Sequence, residues 1–150
     1  MTKVSQEMTR RVVYVLEHDD LAKAYTSMKA MGIRHIPVTK EGRVVGMLSD
    51  RDVLAHSKFS KNGNTVVPEL PVSEVMSSPV YSCREEDSIG KVADMMLAHQ
   101  IDSVAVVDPN NKLIGMITST DLIRLLRDQE WSFKASIPYH FVRTPLLAMA

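Results

Sequence analysis

The sequence holds a single cysteine, Cys83, in 150 residues. One cysteine excludes an internal disulfide and any zinc cage built on cysteines, and a reducing cytoplasm is the compartment it suits. Net charge is lacking as well, because 18 Lys and Arg balance 18 Asp and Glu. A neutral chain has no electrostatic footprint for wrapping nucleic acid or anionic lipid, although a local basic cluster can still hold one phosphate. No apolar run approaches the ~20 residues that span a bilayer. The opening MTKVSQEMTRRVVYVL has no uninterrupted apolar stretch after its basic start, so no signal peptide is expected. Aromatics are sparse at 5%, and half of them (Trp131, Phe133, Tyr139, Phe141) fall within 129–150. Six Gly and seven Pro beside 45% hydrophobic residues exclude collagen and long disorder. What remains is a globular chain, with ten Met suited to an adaptable core.

What the chain does have is a repeat. Shifted by 68 positions, Val4-Ser5-Gln6-Glu7-Met8 falls on Val72-Ser73-Glu74-Val75-Met76, and Lys23, Met28, Ala30, Ile33 and Val38 fall on Lys91, Met96, Ala98, Ile101 and Val106. One residue inserted after Asp108 moves the offset to 69. Gly46-Met47-Leu48-Ser49 then matches Gly115-Met116-Ile117-Thr118, and Asp52 matches Asp121. The chain is two copies of one unit, within 1–57 and 72–128, joined by a linker over 58–71 and followed by a tail over 129–150.

Each copy predicts strand, helix, strand, strand, helix, which makes the fold class α/β. Val12–Val15 and, more weakly, Val80–Ser82 read as first strands. Asp19 and Asp87 are expected N-caps. Leu21, Ala24, Tyr25, Met28 and Met31 keep helical spacing, as do Ile89, Val92, Ala93 and Met96, and Gly32 suits a helix stop. His35–Thr39 and Ser103–Val107 turn through Glu41-Gly42 and Pro109-Asn110-Asn111 into Val44–Leu48 and Leu113–Ile117. Final helices are predicted over Asp50–Ser57 and Ser119–Arg127, and Asn62-Gly63 marks a turn in the linker. A copy of roughly 55 residues buries only about 60% of its surface and is marginal alone. The two copies are therefore expected to pack as a pseudo-twofold pair with two equivalent clefts between them.

These residues resemble a known family. Gly32-Ile33-Arg34-His35-Ile36-Pro37-Val38 with Gly42–Asp52, and Gln100–Asp108 with Leu113–Asp121, are similar to two CBS domains in tandem, the pair called a Bateman module. The resemblance covers about residues 4–128. It implies regulatory binding of adenosine-containing ligands and a dimer of modules. Met28, Met31, Leu54, Met95, Leu97, Leu122, Ile123 and Leu126 are more apolar helix positions than one small core needs, and they are the expected homodimer face.

Ser49-x-x-Asp52 and Thr118-x-x-Asp121 have the spacing of capping boxes. By resemblance, the aspartates accept hydrogen bonds from ribose hydroxyls, and the hydroxyl residues sit beside sugar and phosphate, where a helix start favours anions. Arg34, His35 and Arg51 are either solvated surface charge or, as the resemblance implies for Arg34 and His35 before the second strand, phosphate contacts, for which Arg offers a planar fork of donors. Ile36 and Pro37, with Val104 and Ala105, are expected to line adenine, or else to be strand core. The second copy has Asp102 and Ser103 at the positions of Arg34 and His35. The first site is therefore expected to suit a phosphorylated ligand better, with the second weaker or borrowing Arg34 and His35.

Other chemistry is less supported. His18-Asp19-Asp20 could ligate a metal, but its counterpart Glu86-Asp87-Ser88 makes a helix cap the shared feature. Asp50-x-Asp52 has only one acid in its counterpart. Cys83 lacks an activating neighbour and reads as a packed thiol. The tail's aromatics read as a segment packed on the module, or across a dimer, or as a docking peptide. No catalytic residue, metal site or required cofactor is expected. The reading is a regulatory module for AMP, ADP or ATP that acts on a separate, unidentified protein. The alternatives are a ligand-free structural or dimerisation module, or one that binds NAD or S-adenosylmethionine.

Overall fold

Aliphatic and β-branched residues crowd 35–49 and 103–118, and in the computed structural model these stretches form two antiparallel hairpins. The structure describes the backbone of residues 1–133 and side chains as far as Gln129. The reading of the tail aromatics Trp131, Phe133, Tyr139 and Phe141 lies outside the described residues. Strand β1 (Val15–Leu16) runs parallel to β2 (His35–Lys40), which pairs antiparallel with β3 (Arg43–Ser49). Strands β4 (Lys58–Phe59) and β5 (Thr65–Val66) form a small hairpin within the expected linker, turning through Gly63 at φ +78°. The second copy repeats the first sheet as β6 (Ser82–Cys83), β7 (Ser103–Val107) and β8 (Leu113–Thr118). Even the irregularity recurs, at Val38/Thr39 and at Val106/Val107. The expected strand at Val12–Val15 is shorter, because Val12 instead packs between the two sheets.

Helix α1 (Val4–Glu7) opens the chain. Helices α2 (Leu21–Met31) and α3 (Asp50–His56) belong to the first copy, and α4 (Ile89–His99) and α5 (Ser119–Phe133) to the second. The last helix runs past the expected Arg127. Asp20 and Ser88 cap α2 and α4, accepting the Lys23 and Lys91 N–H groups at 2.9 and 3.1 Å. The expected caps, Asp19 and Asp87, sit one residue earlier and close the preceding turn. They accept the Leu16 and Arg84 N–H groups, each at 2.8 Å. Both positions carry a short polar side chain, and the reach back by three residues decides which of them caps. Gly32 (φ +64°) and Gln100 (φ +54°) end α2 and α4 in the left-handed region.

Core formation crosses between the copies. Leu21, Met28, Ile36, Val38, Leu48 and Val53 pack with Val72 and Val75, which come from the opening of the second copy. Cys83, Val92, Met96, Val104, Val106 and Ile117 pack with Val4 and Met8, from the opening of the first. Each fully buried aliphatic side chain contributes about 1.5–3 kcal/mol, so each copy stabilises the other's core. Backbone bonds fix the exchange. Thr9 and Met116 trade N–H···O bonds at 2.8 and 2.9 Å, and Ser77 and Met47 do so at 2.8 and 3.1 Å. Two glycines allow the approach. A Cβ at Gly46 would overlap the Met76 sulfur, and one at Gly115 would lie 2.8 Å from the Met8 sulfur and 3.1 Å from the Thr9 carbonyl.

A third layer joins the sheets through Val44, Met47, Ala105, Val107 and Met116. Thr39 takes the position of Val107 on the first sheet. It is 2% exposed and its hydroxyl has no hydrogen-bond partner among the described residues. Of the eight residues expected at a homodimer face, Met28 is buried, and Met95 and Leu122 pack on the second core. Met31, Leu54, Leu97, Ile123 and Leu126 are exposed.

Candidate functional site

Because the chain crosses between copies, each hairpin end faces residues of the other repeat, and two clefts result. The first, about 370 Å³, holds Ser49, Arg51 and Asp52 from one copy and Ser77, Tyr81 and Ser103 from the other. The second, about 320 Å³, holds Thr118, Ser119 and Thr120 opposite Thr9, Arg11 and Val13. Under the repeat offset, Thr9 corresponds to Ser77, Val13 to Tyr81 and Thr118 to Ser49, so the clefts are pseudo-twofold copies.

Both hydroxyl–acid pairs close as capping boxes, but they leave their carboxylates in different states. Asp52 Oδ2 accepts the Ser49 N–H at 3.2 Å, while the Asp52 N–H donates to Ser49 Oγ at 3.1 Å. Asp52 Oδ1 has no hydrogen-bond partner among the described residues and belongs to a residue on the cleft wall. Asp121 is more fully engaged. Its Oδ2 accepts both the N–H and the hydroxyl of Thr118, at 2.8 and 2.9 Å, and its Oδ1 accepts Arg124 Nη1 at 3.1 Å. Asp121 is absent from the lining of the second cleft, where Thr118 alone represents the pair.

Two of the expected phosphate contacts are shared between the clefts, as in the alternative in which the second site borrows Arg34 and His35. Arg34 and His35 line both clefts, so they do not distinguish the first site. Arg51 lines only the first, and Arg11, which the sequence reading did not single out, lines only the second. Among the described residues, the first cleft therefore sets two arginines against Asp50, Asp52 and Asp102, whereas the second sets two against Asp102 alone. The expected cationic advantage of the first site disappears. Arg34 Nε also lies 3.5 Å from Asp50 Oδ2, and His35 Nε2 lies 2.8 Å from Asp102 Oδ1.

The expected adenine-lining residues are core. Ile36 and Val104 are fully buried within the two sheet–helix cores, and Ala105 lies in the layer between sheets. Pro37, paired with Met47 across β2 and β3, is buried too, and none of the four lines a cleft. Strand alternation sends Ile36 and Val38 to one face and Pro37 and Thr39 to the other, leaving only the strand start open to the cleft. Ser103 is 7% exposed at that start. Arg11, Tyr81 and Gln100 were missed because they belong to the facing repeat. For Arg11 and Tyr81 the available signal was the alignment of 9–13 with 77–81, and for Gln100 it was its place at the head of the second motif.

Cys83 lies in the second core, and burial foremost, with Asp87 nearby, pushes its thiol up to about 11. That disfavours the thiolate a nucleophile needs. Among the described residues, no three His, Cys, Asp or Glu side chains gather around one possible metal position. No described helix is long and apolar enough to cross a membrane.

A family model described as CBS domain matches residues 4–58 and again 72–128. The chain is 35% identical over 123 residues to the CBS domain-containing protein YhcV of Bacillus subtilis, covering 81% of this chain and 84% of that one. It is 26% identical over 128 residues to MJ1225 of Methanocaldococcus jannaschii, covering 81% of this chain but 46% of that protein. The solved structure of MJ1225 superimposes with a TM-score of 0.71. The cytosolic domain of the Mg2+ channel MgtE, solved in complex with ATP, superimposes with a TM-score of 0.69 at 25% identity, covering 83% of this chain and 48% of that one. The chain thus spans most of YhcV but less than half of the other two.

Proposed function

The chain belongs to the CBS-domain family, and from that premise we propose that it is a regulatory module whose clefts bind an adenosine-containing ligand, with AMP, ADP or ATP as the class. The observation that carries the reading is Asp52, whose Oδ1 has no partner among the described residues and lies in a cleft that also holds Ser49, Arg34 and Arg51. A carboxylate oxygen with no partner is a ready acceptor for ribose hydroxyls, and guanidinium groups beside it suit phosphate. The MgtE domain with ATP supports the ligand class. Asp121 does not line the second cleft, and its carboxylate already accepts three hydrogen bonds, so the ribose end is held more tightly by the first cleft.

Each cleft is walled by both repeats, so a ligand that fits one spacing of the walls better shifts the molecule toward that spacing. Differential affinity for two conformations is all that regulation requires. The response passes to a separate protein, and the module performs no chemistry of its own. It works as a homodimer in a cytoplasmic setting, associated through Met31, Leu54, Leu97, Ile123 and Leu126, which are apolar and exposed. Sedimentation at tens of micromolar (roughly the Kd of a weak contact) should show a dimer, and a monomer there overturns this part.

A second reading, a ligand-free scaffold, is favoured by one observation: both hydroxyl–acid pairs already serve as caps. Titration calorimetry with AMP, ADP, ATP, NAD and S-adenosylmethionine separates the two. Heat from an adenine nucleotide that is lost in Asp52→Ala supports the first reading, and silence from all five supports the scaffold.

A further inference from the structure

Among the described residues, only Arg34, His35 and Asp102 line both clefts. They meet where the starts of β2 and β7 come together. The repeat offset pairs Arg34 with Asp102 and His35 with Ser103, so the two copies bring opposite charges to equivalent places. His35 reaches across to Asp102, with Nε2 2.8 Å from Oδ1. The Asp102 side chain is about half exposed, at 49%, whereas that of His35 is 20% exposed. The Asp102 backbone is held, since its carbonyl accepts the Ser119 N–H at 2.9 Å. In the second cleft Asp102 is the one acid among the described lining residues.

We propose that Asp102 is a charge selector shared by the two clefts, a single carboxylate that disfavours phosphorylated ligands in both and leaves neutral nucleosides unaffected. The inference rests on the reading that the clefts take adenosine-type ligands. A phosphate drawn toward Arg34 and His35 meets the Asp102 carboxylate from either side, and it must compete with that carboxylate for the imidazole. Like charges at such separations repel appreciably in a partly solvated cleft, and a neutral ribose or adenine group feels no such penalty. A substitution here should therefore act on both sites together and scale with ligand charge.

The test is Asp102→Asn, which keeps an acceptor oxygen for His35 and removes the charge, with Asp102→Ser as a second neutral variant. Calorimetry is run with adenosine, AMP and inorganic pyrophosphate, in the wild-type, Asp52→Ala (first cleft) and Thr118→Ala (second cleft) backgrounds. The expected result is AMP and pyrophosphate tightened by about three- to tenfold, adenosine unchanged, and the gain present in both backgrounds. Raising salt to about 0.5 M should shrink the gain, as a screened charge effect must. Equal shifts for adenosine and AMP, a weaker AMP affinity, or a gain confined to one background overturns the selector. If neither adenosine nor AMP binds the wild type, the functional reading fails by itself. The selector is then judged on pyrophosphate, and an unchanged or undetectable pyrophosphate affinity in Asp102→Asn overturns it too.

Discussion

Replacing Asp52 by Asn separates the two duties of that residue. The asparagine carbonyl can take over the bond from the Ser49 N–H, now at 3.2 Å, and the Asp52 backbone N–H still reaches Ser49 Oγ. The cap therefore survives, and what the apo protein loses is a negative charge in the first turn of α3. That charge is worth about 0.3–1 kcal/mol, which for a domain of this size lowers Tm by about 1–4 °C. The ligand loses more. The position of the unpartnered Oδ1 becomes an NH2 group, so an acceptor for ribose hydroxyls becomes a donor. Hydrogen bonds to charged groups contribute about 1.5–3 kcal/mol each, so Kd for an adenine nucleotide should rise by about 10- to 150-fold. Saturating nucleotide should raise the wild-type Tm by mass action, and the rise should largely vanish in the variant. Thermal scans of both proteins with and without AMP and ATP supply every quantity. A variant that melts many degrees lower in the apo state, or that keeps the full nucleotide-induced rise, refutes the assignment of Asp52 as a ligand residue.

Three further outcomes follow from the packing. Gly46→Ala should cost about 1–3 kcal/mol in urea unfolding, because its Cβ meets the Met76 sulfur and lies 3.1 Å from the Ser77 carbonyl; an unchanged midpoint would show that the exchanged segment is not held there. Thr39→Val should raise stability by about 1–2 kcal/mol, since the buried hydroxyl has no partner among the described residues and the second copy already carries Val107 there; a lower Tm counts against it. The Arg84 N–H foremost, and then the Lys91 side chain, hold the Asp87 carboxyl below the usual carboxylate range. Its folded pKa is depressed, so its contribution is full above the ordinary Asp value of about 3.9 and is lost as pH falls through the lower folded value. The stability difference between wild type and Asp87→Asn should shrink steadily below about pH 4, and a difference independent of pH would refute the cause given.

The caps show where local reasoning loses resolution. Asp19 and Asp20 are equally good capping residues, as are Asp87 and Ser88, and only the approach of the chain decides which oxygen meets which N–H. The cleft shows the same loss at longer range. Asp52 and Thr118 were legible because hydroxyl–acid spacing is local, whereas Arg11 and Tyr81 reach their clefts from the opposite repeat. Ile36 and Val104 stay open between lining and core in the sequence, because a strand alternates between two faces and spacing alone does not say which face the other sheet covers.

The sequence by itself determined the repeat, the order of the main strands and helices within each copy, the hairpin turns that join them, and the placing of a hydroxyl and an acid at the start of the last helix in each copy. The repeat shows directly when the chain is compared with itself, and the others depend on residues within a few positions of one another. Tertiary structure alone decided that Val4 and Met8 complete the second core while Val72 and Val75 complete the first. In a repeat, the two openings carry the same apolar pattern and fit either core, so composition and period cannot choose between them. The choice rests on which backbone edge the segment can reach and on the room that Gly46 and Gly115 leave for it. That crossing places Arg34, His35 and Asp102 at a common wall of both clefts.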